Sequence, residues 1–405
     1  MLKISFIKKN KNKIIESLKI RKFKKINIIY NILDLYKKNN NIKIKINYYN
    51  KKIKEYSSLY YNNRNKKIYK KILIYKNKNK REKKKNKLIE KKIFNKTLLI
   101  PNILNNIYFK NNIKEKKIIY KYGILNKKKK YLSHIELAKK IELFKTASNI
   151  SSSGFIIYSG LGLKLYNALV KYFIDYNNLK GYKEYKLPYI VNKSSLYGTG
   201  QYPNKKNQIY YINKDNLYLI PTGEVPLINI YKNKKFNIKD LPIKSQTYTN
   251  CFRREAGSYG KKVKGLNRIH QFGKVEIIEI SEEKKSNNRL KYMLNHIKNL
   301  LKSLKLIFRI ILLPGYDINF TSSITYDFEV YSVGQKIWLE VSSLSNCLNY
   351  QSYNLNIKYF NNNSIKYCHT LNGSSLSIPR ILAAIIELYQ YKNIIKIPNI
   401  LLPYS

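Results

Sequence analysis

Through residues 1–96, Ile, Leu and Tyr recur at mixed spacings of three and four, as in Ile14-Ile15-Leu18, among Lys and Asn and without a proline. Apolar positions at that period predict helices, with the lysines as a solvated polar face. Asn is a poor helix former and disorder is the competing state; the periodicity favours long basic helices. The first proline, in Leu98-Leu99-Ile100-Pro101-Asn102-Ile103, marks a boundary. The expected organisation is a basic helical arm over 1–100, a basic linker over 101–133 and one large domain over 134–405.

In that domain Leu163, Leu165, Leu169 and Phe173 follow helical spacing, and the pattern stops before Gly181. A strand-like run reaches Pro188-Tyr189-Ile190-Val191, and Gly198-Thr199-Gly200-Gln201 reads as a turn, since no phosphate-loop pattern follows. Short β-rich runs continue to about 280. A helix is predicted near 289–304, a strand over 306–313 and a last helix over about 379–391, opened by Pro379 at an N1-like position. Strands interrupted by occasional helices, with no regular βαβ alternation, predict an α+β fold on an antiparallel sheet.

Charge sharpens this division. The chain has 405 residues and a formal net charge of +57. Residues 1–130 hold 42 Lys/Arg against 6 Asp/Glu, most of that excess in under a third of the length. Such an asymmetry points to a polyanionic partner, although the 39 Tyr and abundant Lys, Asn and Ile also fit a strongly AT-rich genome. Cys251, Cys347 and Cys368 have no metal-ligand spacing, so neither a disulfide framework nor zinc is expected. The N-terminal apolar run is too short for a secretory signal, and no window has the length of a membrane span. A cytoplasmic protein is expected, or one of an organelle in a eukaryote with an AT-rich genome.

The most informative stretch runs from Cys251-Phe252-Arg253-Arg254-Glu255-Ala256-Gly257 to Arg268-Ile269-His270-Gln271-Phe272-Gly273-Lys274-Val275-Glu276. It reads as two strands joined by a Gly/Lys-rich loop. Paired, they would gather two arginines, an aromatic ring and two carboxylates on one surface. Guanidinium forks suit phosphate oxygens, a ring can stack a base, and a carboxylate can accept from an exocyclic amine. His270 reads as a hydrogen-bonded structural residue and Cys251 as a packing residue.

This arrangement resembles motif 2 of the class II aminoacyl-tRNA synthetases, in the form carried by the seryl-tRNA synthetase family. The resemblance extends from about Leu98 to the C-terminus through Ile100-Pro101-Asn102, His134-Ile135-Glu136-Leu137, Gly198-Thr199-Gly200-Gln201, Pro221-Thr222-Gly223-Glu224-Val225-Pro226, Glu340-Val341-Ser342-Ser343 and Thr370-Leu371-Asn372-Gly373-Ser374. It implies a class II sheet flanked by helices, with the arm as an antiparallel coiled coil that embraces tRNA.

The resemblance also implies roles. ATP would lie among Arg253, Arg254, Glu255, Arg268, Phe272, Glu340, Val341, Ser342, Ser343 and Arg380. Arg253 would clamp the α-phosphate and the serine carboxylate, and Arg380 the γ-phosphate; these two are the catalytic candidates. Glu255 would accept from the adenine amine and Phe272 stack on the ring. Serine would lie among Thr222, Gly223, Glu224, Arg253, Glu276, Asn372 and Ser374. Its ammonium would meet Thr222 and Glu224, and its hydroxyl Glu276 and Ser374. Alanine would then leave Glu276 unpaired, a strong basis for discrimination. Glu340 and Ser343 offer hard oxygens for Mg²⁺.

The implied partners are tRNA-Ser, L-serine, ATP and a second copy of the chain, with no membrane. Lys261, Lys262 and Lys264 would meet the tRNA acceptor end. Four positions depart from the pattern: Gly273 for an acidic residue, Pro379 for a glycine, and Tyr353-Asn354 for an arginine pair. Two alternatives stay open: a degenerate RNA-binding relative without catalysis, which the lost arginine pair favours, and a ligase that charges a carrier protein, which the long basic N-terminal segment disfavours.

Overall fold

The computed structural model describes the chain except residues 112, 127, 256–264, 362–363 and 393. It divides into two compact units, Met1–Pro101 and Asn102–Ser405.

The first unit is helical. Short helices α1 (Ile4–Lys9) and α2 (Lys11–Ile20) precede two long ones, α3 (Ile28–Asn63) and α4 (Lys66–Thr97). Arg64 takes a left-handed conformation (φ 43°) to end α3, and the Asn65 side chain caps α4 by accepting from the Lys67 N–H at 2.8 Å. Such a tight connection forces the helices antiparallel. Tyr56 stacks on Tyr75 (5.6 Å between centroids), the Asn79 amide donates to Asn50 Oδ1 (2.6 Å), and Lys43 pairs with Glu90 (2.9 Å). At 36 residues, α3 is about 54 Å long. Its buried side chains are few: Ile28, Ile29, Ile32 and Asn39. The expected helical arm is present, and its lysines are a solvated surface.

The second unit is built on an eight-stranded sheet. Its strands are β1 (Lys117–Tyr122), β2 (Lys183–Glu184), β3 (Ile243–Phe252), β4 (Gln271–Ser281), β5 (Phe308–Leu312), β6 (Ile324–Ser332), β7 (Ile337–Asn346) and β8 (His369–Ser377). Their order is β1-β5-β6-β7-β8-β4-β3-β2. Every pairing is antiparallel except β2–β3. The expected α+β antiparallel fold is therefore the observed one. Of the span 101–133, expected as a linker, all but Pro101 belongs to this unit. Its Lys117-Ile-Ile-Tyr-Lys-Tyr122 run forms edge strand β1, and lysines on an exposed edge both discourage further pairing and disguise the strand as basic linker.

Helices α5 (Gly160–Asn178), α6 (Glu224–Asn229), α7 (Ser286–Ser303) and α8 (Ile378–Leu388) complete the frame. The α8 sequence is apolar on nearly every side, and Ile378, Ile381, Leu382, Ile385 and Ile386 are buried. A helix so apolar must be enclosed, and it packs on β4, β6, β7 and β8. That packing anchors Arg380 at its first turn against the sheet.

Candidate active site

Strand pairing brings the motif residues together. On β4, Phe272, Lys274 and Glu276 alternate, and period two puts them on one face. Their partners in register are Cys251, Thr249 and Thr247 on β3, while Glu276 also stands opposite Ser374 on β8.

Two β-bulges then do what regular strands cannot. Residues three apart fall on opposite faces of a regular strand. The register of β6 and β7 shifts at Val341, so that Asp327 faces Ser343 while Glu329 faces Glu340. The extra residue turns Glu340 onto the face of Ser343. The register of β4 and β8 shifts likewise between Lys274–Ser377 and Glu276–Ser374, and both serines line the same cleft.

Two adjoining clefts result. The first, about 510 Å³, is lined by Arg253, Glu255, Arg268, Phe272, Glu340, Val341, Ser342, Ser374 and Arg380. The Arg253 guanidinium lies 5.1 Å from the Phe272 ring centroid, with Nε donating to the Pro221 carbonyl at 3.1 Å. Glu255 is held by Arg268 Nε. Arg380 donates from Nε to the Asn267 carbonyl (3.0 Å) and from Nη1 to the Glu340 carbonyl (2.5 Å). Ser342 Oγ donates to the Ser374 carbonyl at 2.6 Å.

The second cleft, about 1060 Å³, is polar. Thr222, Glu224, Arg253, Lys274, Glu276, Asp327, Glu340, Ser343, Asn372 and Ser374 line it. Thr222 Oγ1 donates to Glu276 Oε1 at 2.6 Å, and Lys274 Nζ pairs with the same carboxylate and reaches Thr222 Oγ1 at 3.2 Å. Glu224 Oε1 accepts from Gln351 (2.6 Å) and Asn372 (2.8 Å). Although part of Glu224 faces the open cleft, enclosure by protein, reinforced by nearby Glu276, pushes its carboxyl up to about 7. Arg253, Lys274, Glu340 and Ser374 belong to both clefts.

One expectation about this site changes. Glu276 would not be left unpaired beside alanine, because Lys274 and Thr222 already hold it. The hydroxyl of a substrate would add a contact to a satisfied carboxylate, a weaker basis for discrimination.

The supporting residues are explicit. His134 takes the Leu266 N–H on Nε2 (3.1 Å) and meets buried Glu387 through Nδ1 (2.8 Å), fixing the turn that carries Asn267. His270 is structural, its Nδ1 on the Arg253 carbonyl (2.9 Å) and its ring stacked on Phe155. Cys251 is fully buried, and burial raises its thiol pKa.

The departures also find places. A Cβ at Gly273 would lie 1.9 Å from Tyr166 Oη, so the tyrosine occupies the space of the usual acidic side chain. Pro379 sits in the first turn of α8. Asn354 donates to the Tyr197 and Gly198 carbonyls (3.2 and 3.3 Å), and Tyr353 packs edge-on against Tyr367 (5.1 Å). Arg254 lies away from both clefts, beside Tyr210 and Lys206. Lys261, Lys262 and Lys264 fall outside the described residues.

Sequence reasoning missed Lys274, Gln351, Lys205 and Asp327. The Phe272-Lys274-Glu276 alternation is the signal that finds Lys274. Gln351 and Lys205 come from distant segments. Lys205 borders the second cleft with its side chain largely exposed. Asp327 lies within an apolar strand run, and burial together with Glu340 raises its pKa to about 8.

The donor set suits a hard divalent cation. Glu340 and Ser343 present oxygen ligands on one face, and buried Asp327 beside them has an oxygen, Oδ1, without a hydrogen-bond partner. Oxygen ligands of this kind fit Mg²⁺.

Residues 209–389 match the family model of the "tRNA synthetase class II core domain (G, H, P, S and T)". The chain is 42% identical over 292 residues to the serine–tRNA ligase of Phytoplasma mali, covering 68% of this chain and 69% of that protein. With the serine–tRNA ligase of Methylacidiphilum infernorum it shares 43% over 262 residues, 64% of this chain and 62% of the relative. Its fold matches the crystal structure of seryl-tRNA synthetase from Pyrococcus horikoshii complexed with ATP at a TM-score of 0.91 and 25% identity, over 100% of this chain and 98% of that one. The cytoplasmic serine–tRNA ligase of Naegleria fowleri in complex with AMP gives 0.86 at 25% identity, covering 98% and 94%.

Proposed function

The chain belongs to the serine–tRNA ligases of the class II aminoacyl-tRNA synthetases, and we propose that it activates L-serine with Mg-ATP and transfers serine to the 3′ end of tRNA-Ser. One observation carries this reading: Arg253 lines both clefts, the aromatic and arginine-rich one suited to a nucleotide and the carboxylate-rich one suited to an amino acid.

In the first step a serine carboxylate oxygen attacks the α-phosphorus of ATP. The bond from that phosphorus to the bridging β-oxygen breaks, giving seryl-adenylate and pyrophosphate. The carboxylate is already ionised at neutral pH, so no general base is required. Arg253, between the clefts, would hold carboxylate and α-phosphate together and stabilise the charge that gathers on the phosphoryl oxygens. Positioning and fixed charge are major sources of rate for such a reaction. Arg380, braced on two carbonyls at the start of α8, would bind the terminal phosphate.

Phe272 offers a stacking face to adenine, and Glu255 an acceptor for its amine once it shares or leaves Arg268. A divalent ion held through Glu340 and Ser343 would neutralise phosphate charge. In the second step the terminal ribose hydroxyl of tRNA attacks the seryl carbonyl and AMP leaves.

Glu224 and Thr222 would receive the serine ammonium, while Glu276 and Ser374 would meet its hydroxyl. The lysine-rich α3–α4 pair supports tRNA binding through the phosphate backbone. Family membership supports a homodimer, and sedimentation tests it. A cytoplasmic location is consistent with the bacterial relatives, and no described helix is long and apolar enough to cross a membrane.

Serine-dependent exchange of pyrophosphate into ATP is the expected activity. Folded protein that binds ATP but shows no such exchange would overturn the catalytic reading.

A further inference from the structure

One polar group in the second cleft has no part in these roles. Asp327 stands opposite Ser343 across β6 and β7, is only 6% exposed and lines the cleft with Glu340, Ser343 and Lys116. Its carboxyl interacts with the Ser343 side chain, but Oδ1 has no hydrogen-bond partner. A buried acceptor without a donor is destabilising and calls for an explanation.

Neighbouring charges do not supply one. Glu329, two residues along and on the same face, is fully engaged: its Oε2 takes Arg309 at 2.7 and 2.6 Å, and its Oε1 lies 3.6 Å from Lys116. Arg309 is committed to Glu329, while Lys116, half exposed, acts on Asp327 only through its charge and leaves Oδ1 without a hydrogen bond. What remains beside Asp327 is Glu340, carried onto the same face by the bulge at Val341, and the Ser343 hydroxyl. Three hard oxygens at the rim of a polar cleft, one of them buried and unpaired, are chemistry for a divalent cation.

We propose that Asp327 is a third protein oxygen donor of the cation site, beside Glu340 and Ser343. Oδ1 binds the ion directly or through one of its waters. The other carboxyl oxygen accepts from the Ser343 hydroxyl and turns the lone pairs of that oxygen toward the same ion. An orienting partner of this kind is common behind metal ligands and affects affinity tenfold or more when removed. The inference rests on the reading of Glu340 and Ser343 as cation ligands, not on the identity of the amino acid.

Mn²⁺ binding to the full-length chain, with and without one equivalent of ATP and with no serine, tests it through the EPR signal of the free ion. Asp327→Asn keeps the shape of the side chain and should weaken Mn²⁺ at least about tenfold in the state where the unaltered chain binds it. ATP binding in EDTA and the thermal transition should remain unchanged. Glu329→Gln, which alters an equally buried carboxylate on the same strand, should leave Mn²⁺ affinity within about twofold.

Equal Mn²⁺ affinity in Asp327→Asn and the unaltered chain overturns the proposal. So does equal weakening in both variants, which would mean only a general effect of local charge, and so does the lack of saturable Mn²⁺ binding with and without ATP. If Asp327→Asn does not fold, Asp327→Glu decides. It keeps the oxygen donors one methylene displaced, and retained Mn²⁺ affinity together with the unaltered chain's ATP affinity supports the proposal, while lost Mn²⁺ binding at an unchanged melting temperature overturns it. Serine-dependent exchange measured separately on the unaltered chain keeps failure of this inference distinct from failure of the proposed activity.

Discussion

The α3–α4 hairpin and the two clefts are made from the same lysine-rich stock, and they use it in opposite ways. On the hairpin the lysines lie mostly at the surface, and its ion pairs, such as Lys38–Asp34 and Lys43–Glu90, are solvent-exposed. Exposed pairs of this kind are worth about 0–1 kcal/mol. In the cleft Lys274 is 7% exposed and bound between Glu276 and Thr222. A charge on the hairpin contributes to a field and can be exchanged for its neighbours. A charge in the cleft has one position and named partners, so its removal is felt locally.

The contrast fails if the two regions respond alike to substitution. Arg253→Ala should reduce serine-dependent exchange about 10³-fold or more and leave the thermal transition in place; an unchanged rate would remove Arg253 from its role. Glu276→Gln should lower the preference for serine over alanine about 10- to 100-fold, the worth of one charged hydrogen bond. Comparing exchange rates with the two amino acids measures it. A much larger drop would mean that Lys274 and Thr222 do not satisfy the carboxylate when serine is absent.

Glu224 gives the cleft a pH response. Enclosure raises its carboxyl to about 7, and binding a serine ammonium there would require the ionised form. As pH falls below about 7, the KM for serine should rise, approaching about tenfold per pH unit, the limit for binding that requires loss of one proton. Glu224→Gln should flatten that slope. A pH-independent KM in the unaltered chain would exclude the assignment.

Acid should also separate the two units. The four histidines are at 134, 270, 296 and 369, none of them in the hairpin. Burial lowers His296 and His369 to about 4. The unfolded chain takes up these protons near pH 6.5, before the folded one can. The stabilising contribution is therefore complete above about 6.5 and is lost as pH falls toward 4, at about 1 kcal/mol per histidine by pH 5.5. Near-UV and far-UV circular dichroism from pH 7 to 5 should report loss of sheet-unit stability while the helical signal of the Met1–Pro101 unit is retained.

The smallest effect belongs to the hairpin. Replacing one exposed lysine, such as Lys80→Gln, should leave exchange unchanged and weaken tRNA binding by about threefold or less. The salt slope of that binding should fall by about one for each phosphate that is no longer neutralised. A large effect from one lysine would make the hairpin a specific site like the cleft.

The make-up of the clefts was legible because the residues that line them obey a local rule. Phe272 and Glu276 alternate on one strand, and Pro379 announces the helix that carries Arg380. The hairpin was legible from period alone. Strand β1 was not, because edge lysines imitate a linker. Lys205 and Gln351 were hidden for another reason: one lines the second cleft and the other holds Glu224 there, each from a segment with no local pattern of its own.

By itself the sequence determined most of the elements, the antiparallel class and the residue types gathered in the candidate site, since period and side-chain chemistry are local properties. Tertiary structure decided which groups meet. Glu340 and Ser343, three residues apart, share a face because pairing with β6 forces a bulge at Val341. Glu276 is satisfied because Thr222, 54 residues earlier, folds back to donate to it. Asp327 becomes conspicuous when burial leaves one oxygen without a partner. Register, burial and the pairing of distant segments depend on the whole fold, and no local spacing encodes them.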